Sequence, residues 1–186
     1  MSRSVYFARL SSIFRNATTA LGRGHSHFCK CIYAVSPLDI AFAHTKCLAI
    51  KVSLGNFILV VFAFYHPPSN SVSRFILELG DMLQLWGSTD QICLLGDLNI
   101  NILCSSNVAV SDCLSVLSAH GLECTIHAPT REELVNNQMV KPCLDHVAVR
   151  APNSSLSSCV ITQRLANHYF VACRFSTASS LFASRP

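Results

Sequence analysis

The chain has 186 residues, 51% hydrophobic and 13% charged, enough for one domain with its own core and too apolar for a disordered segment. Its net charge of +4 suits a phosphate-rich partner, yet no run of Lys and Arg is dense enough to require one. The longest uncharged apolar stretch, Val52 to Tyr65, is interrupted by Ser53, Gly55 and Asn56 and falls short of the ~20 residues of a spanning helix, so no membrane partner is expected.

The first 21 residues carry Arg3, Arg9 and Arg15 among Ser and Ala, and the first acidic residue is Asp39. That composition is similar to a mitochondrial presequence; the alternative, which we expect, is unrelated sequence fused to the domain that follows. His25, His27, Cys29 and Cys31 alternate along one side of a strand, but zinc sites use wider gaps and two segments, so no zinc centre is expected there. The ten cysteines are scattered, with Cys93, Cys143, Cys159 and Cys173 inside apolar runs. They read as buried free thiols of a reducing compartment, not as the disulfides of a secreted chain.

Cys47 to Leu54 and Phe57 to Tyr65 are β-rich runs joined at Gly55-Asn56, which predicts a hairpin. The second run is apolar on both faces, as in a central strand, and stops at His66-Pro67-Pro68. Ser69, Asn70 and Ser71 offer N-caps for a helix whose stripe is Val72, Phe75, Ile76, Leu79, Met82, Leu83 and Trp86. Gln91 to Leu95 predicts a strand ending at Gly96-Asp97-Leu98-Asn99, with Gly96 allowing a sharp exit. Ser111 to His120 predicts a helix capped by Gly121. Leu122 to His127 reads as a strand, Arg131 to Lys141 as a loop, and Cys143 to Arg150, Ser158 to Thr162 and His168 to Phe175 as strands. Short strands interleaved with two helices, each needing a sheet to cover, predict an α/β sandwich.

Three polar clusters lie at strand ends: Gly96-Asp97-Leu98-Asn99, Leu144-Asp145-His146-Val147 and Ala166-Asn167-His168. Asp97 and Asn99, two apart on an extended segment, would project to one side, where a carboxylate can activate water and an amide can hold it or a phosphate oxygen. Asp and Asn after a strand also serve as plain turn formers. His146 faces away from Asp145 and reads as structural.

Tyr65-His66-Pro67-Pro68-Ser69, the helix after it, Gly96-Asp97-Leu98-Asn99-Ile100-Asn101, Pro129-Thr130-Arg131 and Leu144-Asp145-His146 occur in an order and spacing that resembles the endonuclease/exonuclease/phosphatase superfamily, in its non-LTR retrotransposon branch. The match runs from about Cys47 to Phe175, with a domain expected over residues 22–175 and an unstructured tail over 176–186. The resemblance implies a four-layer αββα fold, two sheets face to face with helices outside, incomplete at the N-terminus. It implies a phosphodiesterase site at one rim, Mg²⁺ or Mn²⁺ as cofactor, DNA as partner, no obligate protein partner, and nuclear or cytoplasmic action. Asp97 would align or activate water, Asn99 would orient it and contact the phosphate, and Tyr65 would lie near the scissile group. Asp145 would support His168, which contacts the phosphate; Arg131 would contact phosphate or DNA.

Two departures bear on activity. The last family motif, Ser-Asp-His, reads Ala166-Asn167-His168, so a metal-site aspartate is replaced by an uncharged Asn167. No Glu precedes Glu78, and neither an Asn-bearing first strand nor the metal-binding Glu motif is found. The expectation is therefore an impaired endonuclease. The alternatives are a catalytically dead relic that keeps the fold as a nucleic-acid-binding module, and a phosphoesterase of another superfamily branch.

Overall fold

A computed structural model describes residues 3–8, 34–54, 57–88, 90–151, 154–165 and 167–177. The turn at Gly55-Asn56, the His25–Cys31 cluster and Ala166 lie outside the described residues. Strands β1 (Arg3–Ala8), β2 (Ala34–Leu38), β3 (Lys46–Leu54) and β4 (Phe57–Tyr65) precede helix α1 (Val72–Gln84). β5 (Gln91–Asp97), helix α2 (Val108–Ala119), β6 (Glu123–Cys124), β7 (Glu133–Val135) and β8 (Gln138–Val140) follow, then β9 (Asp145–Arg150), β10 (Ser154–Leu165) and β11 (His168–Thr177).

One sheet has six strands in the order β2-β3-β4-β5-β9-β6, and a second has three in the order β1-β11-β10. Side chains alternate across the large sheet. Val60, Phe62 and Phe64 of β4 and Ile92 and Leu94 of β5 face a core completed by α1 and α2. Leu59, Val61, Ala63, Cys93 and Leu95 face the other way, against Val171, Cys173 and Phe175 of β11. Helices, large sheet and small sheet are thus three of the four expected layers; the described residues contain no second helical layer. No helix among them is long and apolar enough to cross a membrane. Arg3–Ala8, inside the stretch expected as leader, pairs with β11.

β3 and β4 form the predicted hairpin, from Leu54↔Phe57 outward to Lys46↔Tyr65. Pro37 is tolerated in β2 because that strand is an edge. Ser71 caps α1, its side chain accepting from the Arg74 amide. Gly96 does not serve a sharp exit as expected: it lies within β5 at φ +142°, and a Cβ there would sit 1.9 Å from the Phe64 carbonyl oxygen. Its role is to let β5 pass close against β4.

Four other expectations need correction. α2 begins at Val108, three residues before Ser111, because Asn107 caps it by accepting from the Ala109 amide. The strand expected over Leu122–His127 is only Glu123–Cys124; beyond it both the amide and the hydroxyl of Thr125 donate to the Val147 carbonyl, ending the ladder. Arg131–Lys141 contains the β7–β8 hairpin, turned by Asn136 and Asn137 at φ +48° and +61°, which asparagine tolerates. Cys159 is exposed, on the outer face of β10, whereas Cys93, Cys113, Cys124, Cys143 and Cys173 are buried free thiols. Burial pushes Cys113 up to about 12, so it stays protonated.

Two buried side chains lock the helices to the sheet. Arg150 donates to the carbonyls of Gly87 (2.6 Å), Asp90 (2.9 Å) and His120 (2.8 Å), joining the ends of both helices to β9. His146, facing away from Asp145 as expected, donates from Nε2 to the Ile100 carbonyl at 2.8 Å. Burial lowers its pKa to about 4. Burial likewise lowers His66, against weaker opposite effects of the Ser71 and Leu98 backbone and Glu78.

The unfolded chain protonates His146 near pH 6.5 while the native chain does not until about pH 4, so stability falls as pH drops through that window and levels off below it. The loss expected by pH 4 is on the order of 3 kcal/mol, read from urea midpoints at pH 7 and pH 4; His146→Gln should flatten the dependence, and an unchanged slope would refute the assignment. Gly96→Ala should cost more than ~4 kcal/mol, checked by soluble yield and thermal unfolding; a near-native melting temperature would contradict the close approach.

Candidate active site

The polar residues at one rim of the large sheet are positioned by strand register. β4 and β5 are parallel with Tyr65 beside Asp97, and β5 and β9 are antiparallel with Asp97 beside Asp145. In-register neighbours share a face, and this face is the one that carries the inter-sheet core. Tyr65, Asp97 and Asp145 therefore form one row where the apolar packing between the sheets gives out. Asp97 and Asp145 are 7% and 1% exposed, two carboxylates on neighbouring strands that repel unless a cation or donor lies between them.

His168 supplies that donor from the opposite sheet. It opens β11, and its Nδ1–H donates to Asp145 Oδ2 at 2.8 Å. This fixes the tautomer and turns Nε2 toward Asp97 Oδ2, 4.0 Å away. An oxygen atom lying beside that gap can reach both groups.

Asn99 does not reach the site by strand alternation, as the extended reading required. β5 ends at Asp97, and Asn99 adopts φ +52°, a conformation that asparagine accepts more readily than most residues. Its amide N–H donates to Asp97 Oδ1 at 3.2 Å, and its Nδ2 donates to the His66 carbonyl at 2.7 Å. The His66 N–H in turn donates to the Asp97 carbonyl at 2.9 Å. These bonds knit the two loops that follow β4 and β5 beneath the site.

Thr130, part of the quoted motif but given no role there, proves central. Fully buried, its Oγ1 accepts from the amides of Leu144 (2.9 Å) and Asp145 (3.0 Å), and its carbonyl accepts from Tyr169 N–H at 2.7 Å. One residue thus ties the start of β9 to the start of β11, which keeps Asp145 opposite His168. Arg131 bridges to His168 through the backbone, and its guanidinium is held by Glu133 at 2.6 Å. Asn167 is an exposed turn residue whose carbonyl accepts from the Glu132 amide at 3.3 Å.

Asp97, Asp145 and His168 each offer a ligand atom, all within 4.8 Å of one another. Two carboxylates and an imidazole fit a divalent cation, Mg²⁺ through the oxygens and Mn²⁺ through all three.

No family model and no curated protein sequence matches the chain. Solved structures do. The endonuclease domain of TRAS1, a telomere-specific non-LTR retrotransposon, aligns at 11% identity and a TM-score of 0.62, over 77% of this chain and 68% of that one. TDP2 of D. rerio, complexed with single-strand DNA product, aligns at 13% identity and 0.56, over 94% and 86%. A beta toxin mutant of Staphylococcus aureus with bound magnesium ions aligns at 14% and 0.50, over 72% and 58%. At such identities it is architecture alone that is held in common: the chain has the fold of these endonuclease/exonuclease/phosphatase-type structures.

Proposed function

We infer that the chain is a DNA-directed phosphodiesterase of the retrotransposon-endonuclease kind, using a divalent cation and working at an impaired rate. The observation that carries this reading is His168, bonded to Asp145 at 2.8 Å and facing Asp97 across 4.0 Å. In it, Asp97 removes a proton from the attacking water, while the Asn99 amide steadies the carboxylate. Protonated His168 donates Nε2–H to a phosphate oxygen as charge builds there, and Asp145 holds the ring by Nδ1–H. Water oxygen bonds to phosphorus, the P–O3′ bond breaks, and the leaving oxygen takes a proton from solvent to give a 3′ hydroxyl. Tyr65 lines the approach, Asn99 contacts the phosphate, and Arg131 reaches a phosphate on releasing Glu133. A bound Mg²⁺ or Mn²⁺, held by the carboxylates of Asp97 and Asp145, would supply positive charge at the phosphate.

DNA as substrate is supported by the single-strand product in the D. rerio TDP2 structure. It is also supported by the β7–β8 hairpin beside His168, whose exposed Leu134, Val135, Met139 and Val140 offer a wall for a strand. Asn167, uncharged where the family motif has aspartate, supports the impaired rate. It equally favours a second reading, a nucleic-acid-binding module without catalysis.

Nicking of supercoiled plasmid in Mg²⁺ or Mn²⁺ separates them. Slow nicking is expected, falling ~100-fold or more in Asp97→Ala and His168→Ala, with little rescue by Asn167→Asp. DNA binding without nicking would leave the second reading, and neither binding nor nicking would overturn both.

A further inference from the structure

We propose that Lys46 is the side chain that takes the charge of the nucleic-acid backbone at this site, a role that rests on the phosphodiesterase reading and that none of the recognised motifs contains. Lys46 opens β3, and the β3–β4 ladder sets it beside Tyr65. Since Tyr65 lies beside Asp97 and Asp97 beside Asp145, Lys46 is the fourth member of the same row. Its face is the inter-sheet face: Leu48 and Ile50 of the same strand pack against that core, and Val52 is buried in it. Lys46 is the next position outward along this series and is exposed. The apolar packing ends at Leu48, and the ammonium stands at the mouth of the sandwich.

The approach to Lys46 is fixed. Asn70 donates to the His44 carbonyl at 2.6 Å, and His44 Nδ1 meets Glu78 Oε1 at 2.7 Å, so the segment before β3 is bound to α1. A lysine whose backbone is held while its side chain is exposed is suited to a mobile anion-binding contact on a flexible four-carbon stem.

Charge balance singles it out. A phosphodiester entering the row meets the carboxylates of Asp97 and Asp145. The other cations of the rim are engaged: His168 with Asp145, Arg131 with Glu133 at 2.6 Å, and Lys141 with Glu132 at 2.7 Å. Among the described residues Lys46 has no ion pair, and its three donors are available to phosphate oxygens. It stands two strand spacings, about 10 Å, from Asp97, so the lysine stem brings the ammonium to the phosphate at Asp97 or to its neighbour along the strand.

Binding of a fluorescein-labelled DNA duplex to the full chain in EDTA, followed by anisotropy over a range of salt concentrations, tests this without turnover. Lys46→Ala should weaken binding about tenfold at low salt and make the log–log salt slope shallower by about one, while Lys46→Arg keeps the slope. Lys51→Ala, which removes the same charge from the opposite face of β3, should leave the slope unchanged. If the wild type binds and Lys46→Ala retains its affinity and slope, or if Lys51→Ala loses as much, Lys46 is not the phosphate contact although the nucleic-acid reading stands. A wild-type chain with no salt-dependent binding would remove both.

Discussion

The register of three neighbouring strands is the constraint on which the rest depends. β4 and β5 run parallel and β5 and β9 antiparallel, so Tyr65, Asp97 and Asp145 come level only in one pairing. A slip of one residue would turn every side chain of a strand to the other face, sending Asp97 into the helical core and Leu94 into the space between the sheets. Two apolar cores prevent that slip, one on each face, since each accepts only the residues of its own parity. Gly96 allows the pairing at its tightest point, where no side chain fits against Phe64.

With the row set by register, the second sheet completes the site. His168 comes from a strand that shares no ladder with the large sheet, and its bond to Asp145 is a polar contact that spans the sandwich at its rim. Burying a carboxylate unpaired would cost several kcal/mol, so the Asp145–His168 contact is a condition of closing the sandwich at that end. Thr130 makes the geometry reproducible. It satisfies two amides at the start of β9 through one hydroxyl oxygen and bonds the start of β11 through its carbonyl. Leaving those buried amides without acceptors would cost about 1–3 kcal/mol each.

The chemistry follows from this division of labour. The large sheet supplies acidic and phenolic groups at fixed spacing, and the small sheet supplies the imidazole. The Asn99 turn braces the carboxylate that faces it. Cations lie at the edge of the row, toward solvent, and the buried arginine, Arg150, serves the helices instead.

The sequence by itself determined whatever is local or strictly periodic. The alternation of apolar residues across Phe57–Tyr65, the helical stripe from Val72 and the prolines after His66 predicted β4, α1 and the break between them, because each depends on neighbours within a few positions. The order of the motifs also named Asp97, Asn99, Asp145 and His168 before any of them had a place in space. What it missed locally was subtle turn chemistry: Asn107 as a cap, and Asn136-Asn137 as a hairpin turn in a stretch that reads as polar loop. Only the tertiary structure decided that Asn99 turns left-handed to brace Asp97, that Thr130 joins two strands, and that Lys46 stands level with Tyr65. The hairpin count held a hint of the last, since a two-residue turn puts Lys46 opposite Tyr65, but its meaning depends on β5 and β9 pairing alongside. Those ladders join segments far apart in the chain, and hydrogen bonds between distant strands leave no period in the residues that make them.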